Sequence, residues 1–314
     1  MKTKYLIISA VLLVIISITL IFLESNKITG NVIAETGNVA AEKIEIKGSD
    51  TLLQLVSSLA ESYSAQNQNV KISVTGGGSG TGIASLINNE IDVADASRQI
   101  KQEELDNAAK NGIKPLEFII ANDMLSVIVN QDNPVKKLTI EQIGRIYRGE
   151  ITNWKQVGGN DEQITLYGRQ STSGTYTFFM EDVIKGDYSV EMRNLEGNQA
   201  ILDAVRQDKS GIGYVGLGYI ADENGNKVSG INVIEVSKDN QTYFSPLDKA
   251  NLAAYPISRQ LFQYFAIKPE KGSALHSFLM FELGSEGQDI VKKAGFIEIT
   301  SSDIARNNQQ LNSI

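Results

Sequence analysis

Along this chain, stretches where apolar and polar residues alternate one by one are followed repeatedly by stretches with helical spacing. Lys43-Ile44-Glu45-Ile46-Lys47 alternates and predicts a strand. Leu52, Leu53, Val56, Leu59, Ala60 and Tyr63 then mark the apolar face of a helix. Residues 70–74 alternate again and run through Thr75-Gly76-Gly77-Gly78-Ser79-Gly80-Thr81-Gly82 into the helical stretch 83–87. Residues 91–98 predict a third strand, ending in Ser97-Arg98. A helix carrying Glu103, Glu104, Leu105 and Ala108 follows and stops near Gly112. Residues 118–130 read as two short strands broken at Ala121-Asn122-Asp123, a break that suits a crossing between lobes. Thr139 and Gln142 have capping-box spacing and open a helix through Arg148. Ile164-Thr165-Leu166-Tyr167 leads to Arg169, then the polar turn to Thr175, then a helix from Tyr176. Beyond it the pattern predicts a helix over 198–207, a glycine-rich strand over 211–216, a polar loop over 222–228 and a strand over 231–236. An aromatic strand over 261–267 and helices over 273–283 and 286–294 complete the series. The polar residues from Ser301 onward are expected to fray.

Strands alternating with helices imply parallel sheets, whose ligands sit at the strands' carboxyl ends. Ser49-Asp50-Thr51, the 76–81 loop, Ser97-Arg98 and the 169–175 turn all lie at such ends. In the last of these, hydroxyls, backbone N–H groups and the arginine fork together suit a tetrahedral oxyanion. The same residue types are also ordinary helix caps. The glycine loop is not a nucleotide P-loop, because no Gly-Lys-Ser/Thr follows it. It also lacks the acidic partner that holds a ribose in a dinucleotide fold.

Composition narrows the chemistry. The 314 residues are enough for two compact domains, with 42% hydrophobic and 21% charged residues. A net charge of −8 argues against nucleic acid as a partner. There is no cysteine and one histidine, His276, so thiolate chemistry is absent and a metal enzyme or Ser-His triad would rest on one side chain. His276, in a predicted helix, is assigned no chemistry. Neither a metal nor a cofactor is expected, and a phosphatase with a serine or threonine nucleophile would lack a base. Lys2 and Lys4 precede an uncharged apolar run, 5–23, long enough to span a bilayer. This predicts an exported body on the outer face of the cell membrane, held by an uncleaved N-terminal helix. Residues 25–42 read as a tether.

Seven motifs, in order, carry a family resemblance: Gly48-Ser49-Asp50-Thr51; the 76–82 glycine loop; Ala96-Ser97-Arg98; Ile151-Thr152-Asn153-Trp154 with Gly158-Gly159; Arg169 with Ser173-Gly174-Thr175; Gly211-Ile212-Gly213-Tyr214-Val215; and Tyr255-Pro256-Ile257-Ser258-Arg259. Across about 43–299 the chain resembles the phosphate-binding proteins of high-affinity phosphate ABC importers, the PstS-like family. The resemblance implies an α/β, two-lobed type II periplasmic-binding-protein fold, each lobe a mostly parallel sheet flanked by helices, with the ligand in the inter-lobe cleft. It divides the chain into a membrane segment (1–24), the tether (25–42), a first lobe (43–121, returning over 255–314) and a second lobe (122–254). Carried over by position, Thr51 and Leu52, Ser79 and Gly80, and Arg169, Ser173, Gly174 and Thr175 would hold inorganic phosphate, with Ser97 and Arg98 from the third turn. The best-known members have an aspartate where this chain has Arg98, and that aspartate accepts the phosphate's proton. Asp50 is the first candidate to replace it here and Asp95 the second. Arg98 would contact the anion or pair with Asp95. The implied partner is an ABC permease, and a monomer is expected. Another tetrahedral oxyanion (sulfate, molybdate, tungstate) or a membrane-tethered phosphate sensor are the alternatives.

Overall fold

The computed structural model describes residues 41–221 and 226–312. The N-terminal apolar run and nearly all of its tether lie outside that range, as do residues 222–225 of the polar loop. Among the described residues no helix is long and apolar enough to cross a membrane.

The body from Glu42 onward is built on two five-stranded sheets. The first takes β1 (Glu42–Gly48), β2 (Val70–Thr75), β3 (Val93–Ala96), β4 (Leu116–Met124) and, from far along the chain, β12 (Ser258–Phe265). Its order is β2-β1-β3-β12-β4. The second contains β5 (Ser126–Asn130), β7 (Thr165–Arg169), β8 (Arg193–Leu195), β9 (Gly211–Val215) and β10 (Ile231–Val233), in the order β10-β5-β9-β7-β8. A two-stranded parallel sheet joins β6 (Lys137–Thr139) to β11 (Glu235–Ser237).

Strand direction follows from the route of the chain. β1, β2 and β3 pair in parallel, and β12 lies antiparallel between β3 and β4. β7, β8 and β9 pair in parallel, and β5 lies antiparallel between β9 and β10. Each sheet thus has one reversed strand, and it is the first one formed after the chain crosses over: β5 after β4, and β12 after the return past β11. The two crossings touch. Leu125 N–H donates to the Ile257 carbonyl (3.0 Å), and the Tyr255 hydroxyl donates to the Leu125 carbonyl (3.0 Å).

Helices pack on both faces of the first sheet, and its inner strand β12 is apolar on both sides. Leu261 and Phe265 of β12 join a core with α1 (Leu53–Gln66), α7 (Ala274–Leu283) and α8 (Ser285–Lys293). Phe262 and Tyr264, one residue out of phase, join the core beneath α2 (Ser79–Ile87) and α3 (Gln102–Lys110). The second sheet packs around Tyr147, Trp154, Phe179 and Tyr214. Flanking it are α4 (Ile140–Tyr147), opened by the expected Thr139/Gln142 capping box, α5 (Gly174–Phe179) and α6 (Gly197–Gln207).

Three sequence expectations are corrected. The break at 121–123 does not occur: β4 runs on to Met124 and turns at Leu125. Its two polar residues are held by partners, Asn122 by Asp303 (2.8 Å) and Asp123 by Arg259 (2.8 Å), so polarity there does not mean a loop. The strand expected over 231–236 is two strands in different sheets. The end does not fray as a loop, because residues 301–312 form helix α9 (Ser301–Asn312) along the edge of β4.

Candidate functional site

Because β2, β1 and β3 are neighbours, the turns that follow them sit side by side. The turn after β7 meets them from the second lobe. Gly80 N–H donates to the Thr172 carbonyl (3.0 Å). Gly78, at φ +92°, lies so near that a Cβ there would fall 2.5 Å from the same carbonyl oxygen. Left-handed backbone and missing Cβ are both needed at this position, which explains a glycine run between a strand and a helix.

At the centre is a cluster of four buried hydroxyls. Thr51 Oγ1 lies 3.0 Å from Thr175 Oγ1, which lies 3.3 Å from Ser97 Oγ. Ser97 Oγ lies 3.3 Å from Ser79 Oγ, which also accepts the Ser97 backbone N–H at 3.0 Å. Gly174 is packed against this group, since a Cβ there would sit 2.3 Å from Ser79 Oγ and 2.9 Å from Ser97 Oγ. Ser173 caps α5, its hydroxyl accepting from Thr175 N (3.2 Å) and Tyr176 N (3.4 Å). Leu52 directs its side chain into the core and its N–H to the Ser49 carbonyl (3.0 Å).

Beside the hydroxyls, Arg169 is 1% exposed. Its Nη2 is salt-bridged to Asp50 across the two lobes, while Nε and Nη1 are buried with no hydrogen-bonding partner. Burying guanidinium nitrogens unpaired is costly, so these two donors, on either side of the nitrogen that Asp50 holds, are placed to receive an acceptor. Asp50 is held further by Gly77 N–H on Oδ1 (2.9 Å) and by Tyr219, whose hydroxyl donates to its carbonyl (2.7 Å). The Arg169 N–H donates to the Tyr214 hydroxyl (3.2 Å), which ties the end of β7 to β9.

The structure therefore brings together Asp50, Thr51, Ser79, Gly80, Ser97, Arg169, Ser173, Gly174 and Thr175. Arg98 is placed otherwise. Its guanidinium bonds both oxygens of Glu104 (2.6 and 2.8 Å) and the Gln99 carbonyl (2.9 Å), so the pairing with Asp95 does not form. Asp95 instead accepts from Gln263 Nε2 (3.1 Å), which also donates to Glu282 (3.1 Å). Burial pushes Asp95 up to about 7 and Glu282 well above the usual carboxylate range. Three residues given no role in the sequence reading reach the cluster. Arg259 donates to Thr175 Oγ1 (3.1 Å), Asp123 holds Arg259, and Asn198 donates to Thr51 Oγ1 (3.5 Å). Arg259 stands in a motif quoted above, Tyr255 to Arg259, which was its one visible signal.

A polar cluster shared by the strand ends of two α/β lobes defines a solute-binding protein of the type II class, and comparison with known proteins agrees. Residues 34–286 match the PBP superfamily domain. The PstS phosphate-binding protein of Staphylococcus epidermidis is 36% identical over 80% of this chain and 77% of its own. That of Pseudomonas aeruginosa is 31% identical over 80% and 81%. A structure from Clostridium perfringens, described as the substrate-binding protein of a phosphate ABC transporter with bound phosphate, superposes with a TM-score of 0.70. It is 29% identical and covers 82% of this chain and 100% of that one. The chain belongs to the PstS family of phosphate-binding proteins.

Proposed function

We propose that this chain is an extracytoplasmic solute-binding protein that captures inorganic phosphate between its two lobes and delivers it to an ABC importer. The observation that carries this is the buried Arg169 fork, with two unpartnered nitrogens beside hydroxyls contributed by both lobes. Hydroxyls, a guanidinium and backbone N–H groups are donors, and a tetrahedral oxyanion offers acceptors in every direction. Binding Thr51, Ser79 and Ser97 from one lobe and Arg169, Gly174 and Thr175 from the other would hold the lobes closed, and release would follow their opening at the permease. The two-lobe division, with β4 kept in the first lobe to Met124, the N-terminal tether and the monomeric state are part of this proposal.

Selectivity over sulfate requires an acceptor, since phosphate carries a proton near neutral pH and sulfate does not. Asp50 fits that role: each of its carboxylate oxygens accepts one donor, and a carboxylate has about four lone-pair sites. Calorimetric titration of the purified full-length protein with phosphate and then sulfate, after removal of co-purified ligand, tests the function. One-to-one phosphate binding without a sulfate response supports it. Equal binding of both points to a general oxyanion site, and a response to neither returns the ligand to the wider set of oxyanions.

A further inference from the structure

A hydroxyl carries one hydrogen and two acceptor lone pairs, and in isolation it can present either to a ligand. In an anion site that freedom is a cost, because a hydroxyl that spends time as an acceptor repels the oxyanion. Here the freedom is reduced for three of the four hydroxyls. Ser79 Oγ receives the Ser97 N–H (3.0 Å), Thr175 Oγ1 receives Arg259 Nη1–H (3.1 Å), and Thr51 Oγ1 receives Asn198 Nδ2–H (3.5 Å). In each case an N–H that cannot reverse its polarity occupies a lone pair, so the hydroxyl's own hydrogen must point elsewhere.

The two side-chain donors are themselves fixed. Asn198 Oδ1 accepts the Gly216 N–H (3.3 Å), which sets the amide so that Nδ2 faces Thr51. Arg259 has every nitrogen committed. Nε and Nη2 go to Asp123 Oδ2 (3.0 and 2.8 Å), and Nη1 goes to the Ser97 carbonyl (3.1 Å) and to Thr175. Asp123, fully buried, gives its other oxygen to the Leu217 N–H (2.8 Å). Four of its five N–H donors are thus committed, including both on Nη1, the nitrogen that reaches the cluster, so its influence there passes through Thr175.

Taking the site as a phosphate site, we propose that Arg259 and Asn198 are positioning residues that, by filling one lone pair each, bias the Thr175 and Thr51 hydroxyls toward donating to the bound oxyanion. Donors set before the ligand arrives need no reorientation on binding. The bias also sharpens selectivity. A hydroxyl with one lone pair already filled competes less well for the phosphate's proton, which favours Asp50 as its acceptor.

The test is phosphate titration of four full-length proteins: wild type, Arg259→Lys, Thr175→Val and the double variant. Lysine keeps the charge beside Asp123 but cannot reach Asp123, the Ser97 carbonyl and Thr175 together. Arg259→Lys should weaken phosphate binding about tenfold when Thr175 is present, and by less than about twofold in the Thr175→Val background, since residues acting through one contact are not additive. An equal fold-loss in both backgrounds would mean that Arg259 only supports the fold, and would overturn the proposal. Should Arg259→Lys fail to fold, the cycle of Asn198→Ala with Thr51→Val decides by the same criterion. A wild type that binds no phosphate at all would instead overturn the reading of the site, an outcome separate from lost coupling between working variants.

Discussion

At Gly174 a single methyl group decides whether the hydroxyl cluster can form. Its Cβ would lie 2.3 Å from Ser79 Oγ, with Ser97 Oγ at 2.9 Å, and neither serine is a long side chain that can swing away. Gly174→Ala should therefore weaken phosphate binding by at least about tenfold while lowering the melting temperature little, because the strain is relieved by parting the lobes rather than by unfolding either core. Calorimetry paired with a thermal melt checks both halves of that statement. Asp50→Asn should cut the preference for phosphate over sulfate, and overall affinity should also fall because the Arg169 salt bridge is lost. An unchanged preference, read from a competition titration, would remove Asp50 as the proton acceptor. Arg169, Thr51 and Thr175 were legible because they stand at junctions of strand, polar turn and helix, a local signature. Arg98 was legible only as a departure from the family. Its partner Glu104 lies one turn into the next helix, and local sequence cannot say which of several nearby carboxylates an arginine chooses. Arg259 and Asn198 reach the cluster from strands and helices remote in sequence, so no spacing announces them.

Elements that pack by apolar spacing were readable, and elements held by side-chain amides were not. The helices over α1, α4, α6, α7 and α8 fall within a few residues of their apolar patterns. Helix α9 escaped because its attachment is polar. Asn307 bonds both the N–H (2.9 Å) and the carbonyl (2.8 Å) of Ile119, covering the outer edge of β4 where no further strand follows. Asp303 adds bonds to Asn122 (2.8 Å) and to the Thr300 N–H (2.8 Å). The same bonds explain why polarity at 122–123 was misread as a break. Asn307→Ala should lower stability by about 1–3 kcal/mol, since it leaves two buried backbone groups of β4 unpaired. Phosphate affinity should be unchanged, because Asn307 lies outside the cluster. Chemical denaturation alongside a titration would show whether the helix is structural, as argued, or tied to the site.

Across the whole molecule, the carboxyl pair behind the strand ends makes stability depend on pH. Asp95 and Glu282 share the Gln263 amide, and no cation is bonded to either carboxyl among the described residues. Asp95 rises from 3.8 to about 7, so the folded chain keeps a proton that the unfolded chain has released. Stability from this group is greatest below about 4 and falls as pH climbs toward 7, with Glu282 extending the loss upward. The effect is on the order of a few kcal/mol at most. Melting curves recorded from pH 4 to 8 should show a decline that Asp95→Asn flattens, and a wild type that grows more stable toward pH 8 would contradict this account. The reversed strand β12 has a different consequence, for the order in which the protein assembles as it is made. It is inserted between β3 and β4, so those two strands have no bond to each other until residue 265 has been synthesised. The second sheet needs nothing beyond Val233. A nascent chain released before Ser258 would thus hold a finished second sheet beside a three-stranded remnant with β4 unpaired. Domains tend to fold as units as synthesis proceeds. The half of the molecule that begins first is therefore the half that finishes last, and for that interval the cleft has only one wall.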